Sequence, residues 1–150
     1  MSRLKTALIL IPVILLTACG GEPEDTRPGQ PVAHRRAAFK EIIKYFEPMG
    51  VMIRANEYDA AKFQSLTLRM MELRDKPWEY FGPDTNYPPS RSREEVWTQP
   101  EKFEAGKKAF FDATDKLAAI AGTKDKREAG AAFQAVQKTC KDCHDAFKND

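Results

Sequence analysis

Cys140, Cys143 and His144 stand within five residues in a 150-residue chain whose only other cysteine is Cys19 and only other histidine is His34. Three chemistries use such a trio: a redox dithiol, a metal site, or the covalent anchor of a haem. A redox dithiol normally opens a helix that follows a strand, where amide dipoles turn one thiol into a nucleophile; this pair falls in the last helical segment of a chain with no strand pattern. A structural zinc site usually takes four ligands, and the trio supplies three, so a carboxylate would have to come from another helix. Haem attachment satisfies the spacing fully, because two thiols can add to the vinyl groups of one porphyrin while the next residue's imidazole ligates the iron. The CxxCH pattern (Cys140, Cys143, His144) therefore points to one covalent haem c per chain, with His144 as the metal ligand.

The elements that must position this trio are helical. Spacings of three and four place Cys140, Cys143 and His144 on one side of a single helix, with Val136 and Phe147 on the same stripe. Earlier apolar stripes advance in the same way: Phe39, Ile42, Ile43, Phe46, Met49 and Ile53, then Phe63, Leu66, Met70 and Leu73, then Phe103, Phe110, Ala113, Leu117 and Ile120. Pro48 lacks the amide that would bond Lys44 and predicts a bend or break. Thr98-Gln99-Pro100-Glu101 reads as a capping box opening the third helix. Between the second and third helices, DKPWEYFGPDTNYPPSRSREEVWTQP is too rich in proline and turn formers for a long helix; Trp78, Tyr80 and Phe81 predict a crossover packed onto the body. Two short connections and one long one describe an all-α, antiparallel four-helix bundle.

The opening residues do not belong to that bundle. Arg3 and Lys5 precede a short apolar run, which has the form of an export signal and is too short for a membrane span. Leu16-Thr17-Ala18-Cys19 resembles the bacterial lipoprotein signal, in which the cysteine is lipidated and heads the mature chain. The expected organisation is a signal peptide at 1–18, a lipidated N-terminus and polar tether at 19–33, and the bundle at 34–150. Gly20 rather than aspartate after Cys19 resembles lipoproteins routed to the outer membrane, facing the periplasm. Loss of residues 1–18 removes two positive charges and no negative one, so the formal charge falls from +2 to neutral. A neutral domain offers no electrostatic case for nucleic acid.

The chain resembles the cytochrome c prime family, the class II c-type cytochromes. The resemblance is carried by HRRAAF in the first helix, YDAAKF opening the second, PWEYFGP and the tract from REEVW through TQPEKF in the crossover, and AAFQAVQKTCKDCHDAFK at the end. It implies a haem motif near the C-terminus of a four-helix bundle, and an arginine in the first helix, Arg35, beside a haem propionate. It also implies that Phe39, four places later, lies on the distal side of the iron, where low-spin relatives carry methionine.

Phenylalanine has no lone pair to donate, so the iron is expected to be five-coordinate. Met49 and Met52 lie about 15 and 20 Å farther along the helix at about 1.5 Å per residue and are read as core thioethers. The family's arginine four places after the haem histidine is Lys148 in this chain, which keeps the charge but not the planar fork. The resemblance implies binding of nitric oxide and carbon monoxide, electron exchange with redox partner proteins, and dimerisation through the first two helices, which carry surplus apolar residues at Ile43, Tyr45, Phe46 and Leu68. The alternatives are a low-spin electron-transfer cytochrome and a weak haem enzyme. Peroxidase chemistry needs an acid–base group over the iron, and Phe39 takes that place.

Overall fold

The computed structural model describes residues 23–55 and 57–149. The signal segment and Cys19 lie outside the described residues. Helix α1 spans Pro31–Arg54, α2 Ala60–Met71, the one-turn α3 Glu95–Thr98, α4 Pro100–Ala119 and α5 Lys126–Phe147, with a 3-10 turn at Trp78–Tyr80. Helices α1, α2, α4 and α5 form the expected four-helix bundle: α1 packs on α2, α4 on α5, and the two pairs meet through α1 with α5 and α2 with α4. No described helix is long and apolar enough to cross a membrane.

The apolar stripes set how the helices face one another. Phe63 and Met70 on α2, Phe110 and Leu117 on α4, and Phe133 and Val136 on α5 are buried in one continuous core. Met49 and Met52 are buried there too, as core thioethers, and Thr67 donates its hydroxyl to the Met49 sulfur at 3.2 Å. Ile43, counted with the first stripe, is instead 50% exposed. Pro48 does not break α1, which stays helical through Arg54; Lys44 loses an amide partner there, but burial of Met49, Gly50 and Met52 on the next turn holds the helix together.

One helix start differs from expectation. The capping box at Thr98 does not form: Thr98 closes α3, donating its hydroxyl to the Glu94 carbonyl at 3.2 Å. Gln99 precedes α4 without a side-chain cap. Pro100 at the first helical position has no amide to satisfy and its ring presets the helical φ, so α4 can begin without the threonine. Helix α1 begins at Pro31, and its cap comes from a distance. The Asp25 carboxylate accepts from the Val32 amide at 2.9 Å and the Ala33 amide at 3.1 Å, meeting two of the unpaired donors at a helix N-terminus.

The crossover between α2 and α4 lies on the bundle. The Trp78 indole donates to the Arg74 carbonyl at 2.7 Å, and that of Trp97 to the Gly82 carbonyl at 2.9 Å. Near its end the crossover pairs with the last residues of α5: the Arg93 amide donates to the Phe147 carbonyl and the Asn149 amide to the Arg91 carbonyl, each at 2.8 Å.

Candidate functional site

Cys140, Cys143 and His144 occupy neighbouring positions on the last turns of α5, the cysteines half-buried and the histidine more exposed. They form part of the wall of a cavity of about 400 Å3 between α1, α2, the crossover, α4 and α5. Arg35, Phe39 and Lys148 line the same cavity. All six residues read from the sequence as haem-binding are thus gathered at one place, although α1 and α5 are separated by most of the chain.

The walls are largely aromatic. Phe39 meets Trp78 edge-on, with centroids 5.6 Å apart and planes at 88°, and meets Phe81 at 6.3 Å and 74°. Phe81 packs on Phe103 at 4.9 Å, and Phe103 on Phe147 at 5.3 Å. On the α4 side, a Cβ added to Gly106 would meet only the Phe147 ring, at 3.9 Å, so open space lies beside that helix.

The electrostatics favour neutral side chains in the α5 wall. Burial pushes the Cys140 thiol up to about 11, with the neighbouring Cys143 adding to it. Burial raises Cys143 as well. Neither thiol is disposed to become the thiolate that disulfide exchange or zinc would need, whereas a thioether sulfur carries no charge to desolvate. Desolvation, helped by Lys148, lowers the His144 pKa against the opposing pull of Asp145, which leaves the imidazole neutral with a free lone pair. An apolar, ring-lined cavity with two neutral sulfurs and a neutral imidazole on one helix fits a haem c.

Arg35 is 4% exposed and its guanidinium clamps the crossover. One terminal nitrogen donates to the Tyr80 carbonyl at 3.1 Å and the Thr85 hydroxyl at 3.4 Å; the other donates to the Thr85 carbonyl at 3.4 Å and the Ser90 hydroxyl at 2.8 Å. Its charge also lies 4.4 Å from the Phe81 ring centroid. Burial lowers its pKa, with Tyr87 and Asp25 opposing. For the propionate contact expected of Arg35, only Nε is left. His34 stacks on Tyr80 at 5.3 Å and is not among the cavity-lining residues, where the one imidazole is His144.

Sequence reasoning missed Met70, Arg36 and Arg91 as cavity residues. Met70 had a signal only as a stripe residue of α2, and Arg36 sits beside the arginine that drew attention. Among the described lining residues the charged ones are Arg35, Arg36, Lys40, Arg91 and Lys148, with no carboxylate.

A profile of the family described as cytochrome c' matches residues 30–148. The chain belongs to the cytochrome c' family. A cytochrome c' from Alcaligenes xylosoxydans xylosoxydans is 32% identical over 123 residues, covering 81% of this chain and 95% of the relative. One from Rubrivivax gelatinosus is 30% identical over 124 residues, covering 81% and 96%. The solved cytochrome c prime from Shewanella frigidimarina superposes with a TM-score of 0.77 at 29% identity, over 83% of this chain and 98% of that one. A nitric oxide complex of a variant of the Alcaligenes xylosoxidans protein superposes at 0.76 with 31% identity, over 85% and 100%. Family and cysteine spacing together establish one covalently bound haem c per chain.

Proposed function

We propose that this chain is a five-coordinate cytochrome c' that takes nitric oxide or carbon monoxide on the open side of its haem and exchanges single electrons with redox partner proteins. The haem c supplies the iron at which gas binding and electron exchange occur. Cys140 and Cys143 hold it by thioether links, and His144 offers the neutral lone pair that ligates it from α5. Phe39, on the α1 wall of the same cavity, is the observation that carries the reading: it brings an apolar ring and no donor atom. The ring cluster of Phe39, Trp78 and Phe81 disfavours charged ligands, which lose hydration on entry, and admits small uncharged diatomics.

The lining residues also speak against a dedicated enzyme. Among those described there is no carboxylate, and the single imidazole is His144, so neither a carboxyl group nor a second imidazole is placed to shuttle a proton on the Phe39 side. Solved relatives carry nitric oxide in complexes of cytochrome c prime variants, which supports the same ligand class here.

A second reading, a low-spin electron carrier, is favoured by one observation: the Met70 thioether, fully buried on α2, also lines the cavity. Absorption and magnetic spectra of the purified holoprotein separate the two. The proposal expects a high-spin ferrous form at neutral pH that changes on adding nitric oxide or carbon monoxide, unaltered by Met70→Leu. A six-coordinate, low-spin ferrous form that reverts to high spin in Met70→Leu would replace it with the electron carrier.

The signal segment and the surface support a setting for this function. The protein works in the periplasm, tethered by lipid on Cys19 to the outer membrane, as a homodimer through α1 and α2. Exposure of Ile43 by 50% and Leu68 by 53% on those helices supports the dimer. Mass analysis of the mature N-terminus tests the lipid directly.

A further inference from the structure

The polar segment before α1 is fastened to the bundle. The Asp25 carboxylate, 1% exposed, accepts from the Tyr87 hydroxyl at 3.0 Å as well as from the two α1 amides. Gln30 donates its side-chain amide to the Asp25 carbonyl at 3.0 Å, and the Arg27 guanidinium lies 4.0 Å from the Tyr87 ring centroid. Farther out, an Arg36 terminal nitrogen donates to the Pro23 carbonyl at 2.8 Å. Residues 23–30 thus belong to the folded domain rather than to a linker.

This docking sets both the length of the tether and its point of departure. Pro31 lies 12 positions after Cys19, and that length of chain, fully extended at about 3.6 Å per residue, reaches about 43 Å. Such a reach exceeds the diameter of a domain this size, roughly 35 Å, so an undocked tether would let a lipid-held domain take any orientation. Pro23 lies only four positions after Cys19, a reach of about 14 Å at the same rise. The chain departs beside the haem cavity, because Arg36, which holds Pro23, is one of the residues lining it.

The mouth of that cavity is basic. Lys40, Arg91 and Lys148 line it and are exposed, with Arg36 half-buried among them, and none of the described lining residues is a carboxylate. On the tether the exposed Glu24 opposes them, while Asp25 is turned inward onto the α1 amides. We propose that the cavity mouth faces an anionic phospholipid bilayer, with Arg36, Lys40, Arg91 and Lys148 toward the headgroups. Lipid on Cys19 supplies the proximity, so the inference rests on that part of the proposed setting. Cations are drawn to an anionic leaflet over about a Debye length, about 8 Å at physiological ionic strength, and the short tether lets the mouth come that close. Uncharged diatomics dissolve more readily in hydrocarbon than in water, so a mouth turned to the bilayer meets its ligand where the ligand is concentrated.

The test is lysine acetylation footprinting, read by mass spectrometry, of the lipidated full-length holoprotein on vesicles of phosphatidylethanolamine and phosphatidylglycerol, beside the lipid-free Cys19→Ser holoprotein in solution. Lys40 and Lys148 report the mouth. Lys124, exposed in the α4–α5 connection, reports the other end of α5, about 33 Å away. The expected result is a several-fold slowing at Lys40 and Lys148 on the vesicles, weaker on vesicles of phosphatidylcholine alone, with Lys124 unchanged. Equal slowing at both ends, slowing at Lys124 alone, or full slowing retained on phosphatidylcholine would overturn the inference. Slowing absent on vesicles but growing with the concentration of the Cys19→Ser protein would give the surface to a second copy; slowing produced only by a soluble flavodoxin, an acidic redox protein, would give it to a partner of that kind. Cys19 is checked first: a mature N-terminus without acyl mass removes the anchor, and the inference with it, before any vesicle is added.

Discussion

Gly50 on α1 and Phe133 on α5 approach so closely that a Cβ added to the glycine would lie 2.6 Å from Phe133 Cζ. Phe133 in turn stacks on Phe46, centroids 4.3 Å apart and planes 16° from parallel, so it cannot retreat without opening that stack. Gly50→Ala is therefore expected to cost about 1–3 kcal/mol as an overpacking substitution, despite alanine's better helix propensity. Urea denaturation of the holoprotein measures this; a stabilised variant would show that Phe133 has room to move.

Arg35→Ala is expected to destabilise by about 2–4 kcal/mol, since it leaves the Tyr80 and Thr85 carbonyls without their charged donor in a part-buried setting. Loosening should concentrate in the crossover. Limited proteolysis ought to cut between residues 82 and 92 faster in the variant than in the parent, and equal cutting there would sink the clamp.

The Asp25 carboxyl gives an acid-side prediction. Burial works to raise its pKa, but the amides of Ala33, Arg27 and Val32 and the Tyr87 hydroxyl outweigh burial and hold it below the usual carboxylate range. A depressed folded-state pKa means that its stabilisation is complete above the unfolded value of about 3.9 and drains away as pH falls through the lower folded value. Thermal melts should show Asp25→Asn less stable at pH 7, with the gap to the parent closing below about pH 4. A gap that persists unchanged at pH 2 would assign the loss to packing rather than charge.

Leu68→Glu places a charge on the exposed face of α2. Sedimentation velocity is expected to find a homodimer for the parent and a monomer for the variant, with unchanged haem spectra. Two species of the same size would remove the α1 and α2 faces as the dimer contact.

The helices were legible because their signals are local and repeated: the stripe of Phe103, Phe110, Ala113 and Leu117 recurs at helical spacing and is buried as a set. The α5 chemistry was legible for the same reason, since Cys140, Cys143 and His144 lie on adjacent turns. The misread features involve choices between competing partners. Thr98 looked like a cap because only its neighbours in sequence were weighed, while Asp25, which performs that task for α1, sits six residues before the helix. The hydrogen bonds of Arg35 were not legible either, because the crossover acceptors it meets, from the Tyr80 carbonyl to the Ser90 hydroxyl, lie 45 to 55 positions away. Met70 reads as one more core residue until the cavity beside it is seen.

The grouping of both sulfurs and the imidazole within five residues has a bearing on biogenesis. On the proposed reading, everything that would bond covalently or ligate is contributed by one short peptide, while the remaining walls arrive from α1, α2, the crossover and α4. Pigment attachment therefore requires no prior tertiary structure: it can occur on an extended, newly exported polypeptide, after which the apolar plate gives the other three helices a surface around which to condense.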